Sequence, residues 1–174
     1  STFQWYLARF AADGSMQWEK FIHTNGLGGL TVAQTTSDGG YMLGITSALP
    51  NQDYVVVKLD ADANLVWNKS YSGKYFEAEN SIEKLVSITQ TKDGGYIIGG
   101  YSNGDAGNEK SQNSKGVDDY WIVKIAEDGT KQWDKTIGGL YIDYFSGLVQ
   151  TSDGGYLLGG SSESWAGEDK TEGY

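Results

Sequence analysis

The sequence predicts an all-β chain built from three tandem copies of one four-stranded antiparallel unit, and three observations carry that prediction. The first is a motif written three times: Thr36-Ser37-Asp38-Gly39-Gly40-Tyr41, Thr91-Lys92-Asp93-Gly94-Gly95-Tyr96 and Thr151-Ser152-Asp153-Gly154-Gly155-Tyr156, with the Asp positions 55 and 60 residues apart. The second runs in phase with the first: Asp53-Tyr54-Val55-Val56-Val57-Lys58-Leu59 matches Asp119-Tyr120-Trp121-Ile122-Val123-Lys124-Ile125, and Trp5-Tyr6-Leu7-Ala8-Arg9-Phe10 is a third copy. The third is a Trp nine residues after each of those basic residues, at Trp18, Trp67 and Trp133.

Each unit reads as four strands in order. The first precedes Thr-x-Asp-Gly-Gly, as at 146–151, and the second is the Gly-Tyr-apolar-apolar-Gly run that follows. The third is the Tyr-Trp-Ile-Val-Lys run, and the fourth surrounds the repeated Trp. Strands two and three are continuous apolar runs, which points to packing on both faces. Asp-Gly between strands is a hairpin signal because Gly adopts positive φ at little steric cost. In the middle unit Ala63 stands where Gly14 and Gly129 occur, which is expected to cost some strain unless Asn64 takes the left-handed position. The chain is read as one repeat domain, 1–174, with complete units at 30–73 and 82–139. Residues 1–29 supply the outer strands of a split unit and 145–174 its inner strands. A short helical turn is expected around Glu77 to Glu83.

Composition fits this reading and removes several function classes. Glycine is 25 of 174 residues with one Pro and no Gly-X-Y period, so collagen is excluded. Apolar residues at 39% and aromatics at 13% suffice for a core, which excludes disorder. There is no Cys, hence no disulfide or thiolate chemistry, and the single His23 excludes multi-histidine metal sites. A net charge of −10 argues against nucleic acid and anionic membranes as partners, and no apolar run is long enough for membrane insertion. Glycine does not mark phosphate binding, since no Gly-Lys-Ser/Thr or Gly-x-Gly-x-x-Gly leads a strand into a helix. The start at Ser1-Thr2 is expected of a processed chain or a piece of a longer one.

Four-stranded units of this length, stacked face to face, describe β-propeller blades. The order of apolar strand ending in Gly-Gly, Tyr-containing strand, turn and Trp resembles kelch blades. More closely, Asp119-Tyr120-Trp121-Ile122-Val123-Lys124 and Trp133-Asp134-Lys135-Thr136-Ile137-Gly138-Gly139 resemble the Asp-Gly-Gly-Tyr repeats of secreted and cell-surface proteins of Bacteroidota and some archaea, often type IX secretion cargo. The resemblance covers essentially the whole chain and implies a propeller fold and an extracellular or outer-surface location, not a common activity. Three blades are too few for a ring, whose range is about four to eight. Either two copies form a homodimer closing a six-bladed ring, or the native chain carries further repeats.

In such a fold the turns between strands one and two, and between three and four, share one face and are nearly identical among units. Asp38, Asp93 and Asp153, with Trp18, Trp67 and Trp133, are therefore read as structural repeat residues. The opposite face carries the variable loops 47–52, 102–118 and 162 onward, where function is expected. Aromatics with neighbouring carboxylates there, Tyr75, Phe76, Tyr141, Asp143, Tyr144 and Trp165, are candidate ligand-binding residues for a glycan or a protein, against the simpler reading that they fill gaps between blades. The acidic, amide-rich loop offers Asp105, Asn108, Glu109 and Asp118 as oxygen ligands for calcium, against a solvated loop. No resident cofactor is otherwise implied. Asp60-Ala61-Asp62-Ala63-Asn64 mimics the start of a calcium loop, but Leu65 and Tyr71 occupy the places of its Gly and Glu, so a hairpin turn is expected. With no catalytic constellation, the expected role is a non-catalytic binding or adhesion module of an exported surface protein. The alternatives are a structural spacer or assembly module and, behind it, a polysaccharide hydrolase or lyase.

Overall fold

A computed structural model of the chain describes residues 4–23, 28–48, 52–74 and 82–172. The described residues hold twelve strands and no helix. β1 (Gln4–Phe10) and β2 (Met16–His23) make a two-stranded antiparallel sheet. β3 (Leu30–Thr35), β4 (Tyr41–Thr46), β5 (Tyr54–Leu59) and β6 (Leu65–Tyr71) make a four-stranded one. β7 (Glu83–Gln90), β8 (Tyr96–Ser102), β9 (Asp119–Ile125) and β10 (Lys131–Ile137) make a second, and β11 (Asp143–Gln150) with β12 (Tyr156–Ser162) a final pair. Within each sheet the strands pair in chain order, and among the described residues the first and last sheets do not join.

The units repeat down to their irregularities. The first strand of each carries a bulge at the same place, between Leu30 and Val32, Leu85 and Ser87, and Phe145 and Gly147. Strands two and three pair in one register, with Tyr41 opposite Leu59 and Tyr96 opposite Ile125. Those central strands are buried on both faces, as their continuous apolar runs require: Met42, Leu43, Val55, Val56, Ile97, Ile98, Ile122 and Val123 are all in the core.

The core therefore lies between sheets. β7 packs on β3, β4 and β5, and β11 packs on β7, β8 and β9. One seam joins Met42, Tyr54 and Val56 to Leu85, Ile98 and Trp121; another joins Ile97 and Ile122 to Phe145 and Leu148. At the other end Trp5, Leu7, Trp18 and Ile22 pack on Leu43, Val55 and Val57. The repeated Trp serves these seams. Trp18 meets Tyr41 of the next sheet edge-on at 5.7 Å, and Trp133 meets Tyr156 at 5.8 Å. Such pairs add about 1 kcal/mol beyond the area they bury.

Three expectations are adjusted by the structure. β11 begins at Asp143, two residues earlier than 145, because the first strand runs back past its bulge. Ala63, not Asn64, takes the left-handed conformation, with φ of 56°, so the middle turn keeps the Gly14 and Gly129 geometry at the cost of a Cβ. Asp60 holds it there: its carboxylate accepts from the backbone N–H of Asp62 and Asn64, while the Lys20 ammonium donates to the Ala63 carbonyl at 2.8 Å. This segment is thus a hairpin turn. Of the expected helical turn, 75–81 lies outside the described residues and Glu83 begins a strand.

Candidate functional site

At one end of the sheets two of the three Asp-Gly-Gly turns are lysine sockets. The Lys58 ammonium is buried and donates to Thr36 Oγ1, Asp38 Oδ1 and the Leu59 carbonyl, each at 3.0 Å. Lys124 does the same with Asp93 Oδ1 at 3.1 Å and the Ile125 carbonyl at 3.2 Å. The two glycines of the motif have different jobs. Gly39 and Gly94 adopt φ of 83° and 85°, which L side chains rarely do. Gly40 instead makes room: a Cβ there would lie 2.5 Å from Lys58 Nζ and 2.3 Å from the Leu59 carbonyl oxygen. The ammonium and the Thr36 hydroxyl hold the Asp38 carboxyl well below the usual carboxylate range, and Thr91 with Lys124 lowers Asp93 to about 2.

The opposite end carries the variable loops, and two of them share one design. Gly107 and Lys110 exchange backbone hydrogen bonds at 2.9 and 3.0 Å, as Gly167 and Lys170 do at 2.8 and 2.9 Å. Gly107 and Asn108, like Gly167 and Glu168, have positive φ. Each loop wraps its own lysine. Lys110 Nζ is buried and donates to Ser102 Oγ, the Gly104 carbonyl and Ser114 Oγ at 2.8, 2.7 and 2.8 Å. Lys170 Nζ donates to Ser162 Oγ, the Ser164 carbonyl and Asp143. Burial pulls the Lys110 ammonium down to about 8, against the upward pull of Glu83 and Asp119.

The four candidate cation ligands divide between two places. Asp105, Asn108 and Glu109 dock the loop on the end of β6: the Asp105 carbonyl accepts from Lys74 N, Asn108 Nδ2 donates to the Gly73 carbonyl, and Glu109 Oε2 accepts from Ser72 N. Asp118 lies at the entry to β9, bridged to Ile142, with its carboxyl raised by burial and by Asp119. Among the described residues no three His, Cys, Asp or Glu side chains converge as a metal group would need.

The aromatic candidates also separate. Tyr141 and Trp165, 50% and 63% exposed, flank a cavity of about 110 Å³ with Leu140, Gly139 and Glu168. The backbone of Tyr141 is held from behind, since Tyr141 N donates to Ser164 Oγ and Ser164 Oγ donates to Asp143 Oδ2. Asp143 is buried beneath, accepting also from Gly139 N at 2.8 Å, so it braces the site and does not face a ligand. Tyr144 is outside that lining: it is 42% exposed and meets Tyr101 edge-on at 5.1 Å. Tyr75 and Phe76 lie outside the described residues.

The sequence places Lys58 and Lys124 in phase and matches Ala106-Gly107 and Lys110 with Ala166-Gly167 and Lys170, but it does not disclose that these lysines organise both ends. Nor does it disclose a larger open groove of about 490 Å³ between β2 and the β5–β6 hairpin, lined by Trp5, Lys20, Ile22, Val57 and Asn68. His23 is exposed on its rim, its Nδ1 paired with Gln4 Nε2 at 3.1 Å. Among the described residues no helix is long and apolar enough to cross a membrane. No protein-family model matches the chain, and no curated protein matches it closely enough to be counted a relative.

Proposed function

We propose that the chain is a non-catalytic recognition module of an exported surface protein, its units acting as successive blades of a β-propeller, and that it binds a glycan at the Tyr141–Trp165 cleft. The observation that carries this reading is the presence of two exposed aromatic side chains, Tyr141 and Trp165, in the lining of one cavity, with Tyr141 held through Ser164 to Asp143. Aromatic faces bind the C–H surfaces of a sugar ring, and the neighbouring Glu168 supplies hydrogen-bond acceptors for its hydroxyls. A cleft of about 110 Å³ admits one sugar unit and leaves the rest of the chain outside, so end or branch residues are the natural ligand.

Screening on a glycan array followed by titration of the retained sugars tests the proposal. Trp165→Ala and Tyr141→Ala should each lower affinity at least tenfold while the thermal midpoint stays within about 2 °C. An array on which nothing binds, or variants that bind as the parent does, overturns it. The spacer reading is favoured by Tyr144 alone, whose place against Tyr101 makes it a packing residue.

A further inference from the structure

The third Asp-Gly-Gly turn has the shape of a lysine socket without its lysine. Thr151 Oγ1 donates to Asp153 Oδ1, Gly155 N donates to the same oxygen at 3.2 Å, and Gly154 has φ of 92°, so the turn reproduces the other two. A Cβ on Gly40 or Gly95 would meet the ammonium of Lys58 or Lys124 at 2.5 and 2.6 Å. On Gly155 it would meet only its own turn, Thr151 Oγ1 at 3.1 Å and Asp153 Oδ1 at 3.4 Å. The residue in phase with Lys58 and Lys124 is Arg9, which is exposed on β1. β1 has only β2 as a strand neighbour, and β12 has only β11.

Two further features point the same way. Tyr6, Phe10 and Leu157 are 50, 56 and 65% exposed. At the same positions of the complete units, Val55 and Trp121, Leu59 and Ile125, and Met42 and Ile97 are at most 3% exposed. The position after the second-strand apolar pair tells the same story. A Cβ on Gly44 would meet Leu85 at 2.7 Å and on Gly99 would meet Phe145 at 2.7 Å, both from the next unit, whereas on Gly159 it meets nothing within 4 Å. On β3 the surface in phase with Ile88 and Leu148, at Ala33, is exposed.

We infer that β12 of one copy pairs with β1 of a second copy, seating Arg9 of each in the Asp153 socket of the other. The register follows from the complete units, where Tyr41 opposes Leu59 and Tyr96 opposes Ile125. Tyr156 then opposes Phe10, Leu157 opposes Arg9, and Gly159 opposes Leu7. Each contact joins two half-units into one four-stranded sheet, removes two open edges and covers the exposed apolar residues. The contact is made twice around a twofold axis, and the pair of chains closes six sheets. One chain closing on itself would make three and three chains nine, both outside the range of about four to eight that such rings adopt. The occupant is this chain's own strand because its charge, its phase and its apolar face all complement the vacancy.

The molar mass in solution, measured by sedimentation on the full chain, should be twice 18.9 kDa at tens of micromolar. Arg9→Asp and Asp153→Arg each place like charges at both contacts and should weaken association at least tenfold, giving monomers that keep the parent's β-sheet circular dichroism. Mixing the two variants in equal amounts should restore the dimer, since every contact then holds one acid and one base. A monomeric parent chain overturns the inference and leaves the vacancy to another polypeptide segment. So do a larger assembly and a mixture that stays monomeric.

Discussion

The Lys124 ammonium lies 3.0 Å from Asp93 Oδ2 with its side chain almost wholly buried, while the carboxylate remains more than half exposed. The two ends of this pair therefore contribute unequally to stability. Removing the acid strands a buried cation; removing the base leaves an exposed carboxylate that water and Thr91 still satisfy. Asp93→Ala should cost about 2 kcal/mol, less than for a fully buried pair because solvent screens the acid. Lys124→Met, which keeps the stem packed, should cost no more than about 1 kcal/mol. Denaturant midpoints at unchanged m-value check the order.

The same pair sets an acid limit. Asp93 is lowered to about 2, against about 3.9 when unfolded, so the folded state releases its proton more readily. Its contribution is fully present above about pH 4 and is lost as pH falls toward 2. Asp38 adds to this in the same direction. A chain carrying Asp38→Asn and Asp93→Asn should be less stable at pH 6, yet lose less on going from pH 5 to pH 2.5. A parallel fall in the two proteins would rule this account out.

The two glycines of each turn should respond differently along the chain. Gly40→Ala and Gly95→Ala drive a Cβ against a lysine ammonium and a backbone oxygen that are both packed in place, costing about 3 kcal/mol. Gly155→Ala meets only its own Thr and Asp at 3.1 Å or more and should cost about 1 kcal/mol in the isolated chain. Thermal midpoints of the three variants, measured dilute enough to keep copies apart, separate the cases.

What the sequence made legible follows from which interactions are local. Hairpin turns, strand order and the two apolar central strands are set by residues within one unit, and all lie where the periodicity places them. The reason for the second glycine was hidden, because Lys58 is 20 residues from Asp38 and only the β4–β5 register brings them together. Asp143 and Tyr144 are neighbours in sequence, but Asp143 is buried against Gly139 N whereas Tyr144 is exposed beside Tyr101. A list of loop aromatics and acids could not separate them. That the loop of Asp105, Asn108 and Glu109 also wraps the Lys110 ammonium was hidden as well, because the contact depends on Ser102, Gly104 and Ser114 folding around it.

Seam integrity rests on a buried phenol. Tyr54 OH donates to the Trp121 carbonyl at 3.0 Å across the two four-stranded sheets, with the rings 4.7 Å apart. Gly100 allows that approach, as a Cβ there would lie 2.8 Å from the hydroxyl. Tyr54→Phe keeps the ring contact and loses one hydrogen bond, about 1 kcal/mol. Tyr54→Ala empties the seam, and about 4 kcal/mol of loss is expected from equilibrium unfolding.

Burial of the Lys110 ammonium makes stability rise with pH. Burial lowers it to about 8, while in the unfolded chain it titrates near 10.4. Between those values the unfolded state binds more protons, so unfolding becomes harder as pH increases. Below pH 8 the folded protein bears the full cost of a buried cation, offset by donation to Ser102, Gly104 and Ser114. Tyr54 and Tyr71 work in the opposite sense, since burial raises both phenols and the unfolded state ionises first, but only near pH 10 and above. The clean window is therefore pH 8 to 10. Across it the stability of the parent relative to Lys110→Met should increase by on the order of 2 kcal/mol. Chemical denaturation at half-unit steps reads that difference directly, and a flat line across the window would mean that the ammonium keeps an ordinary affinity for its proton.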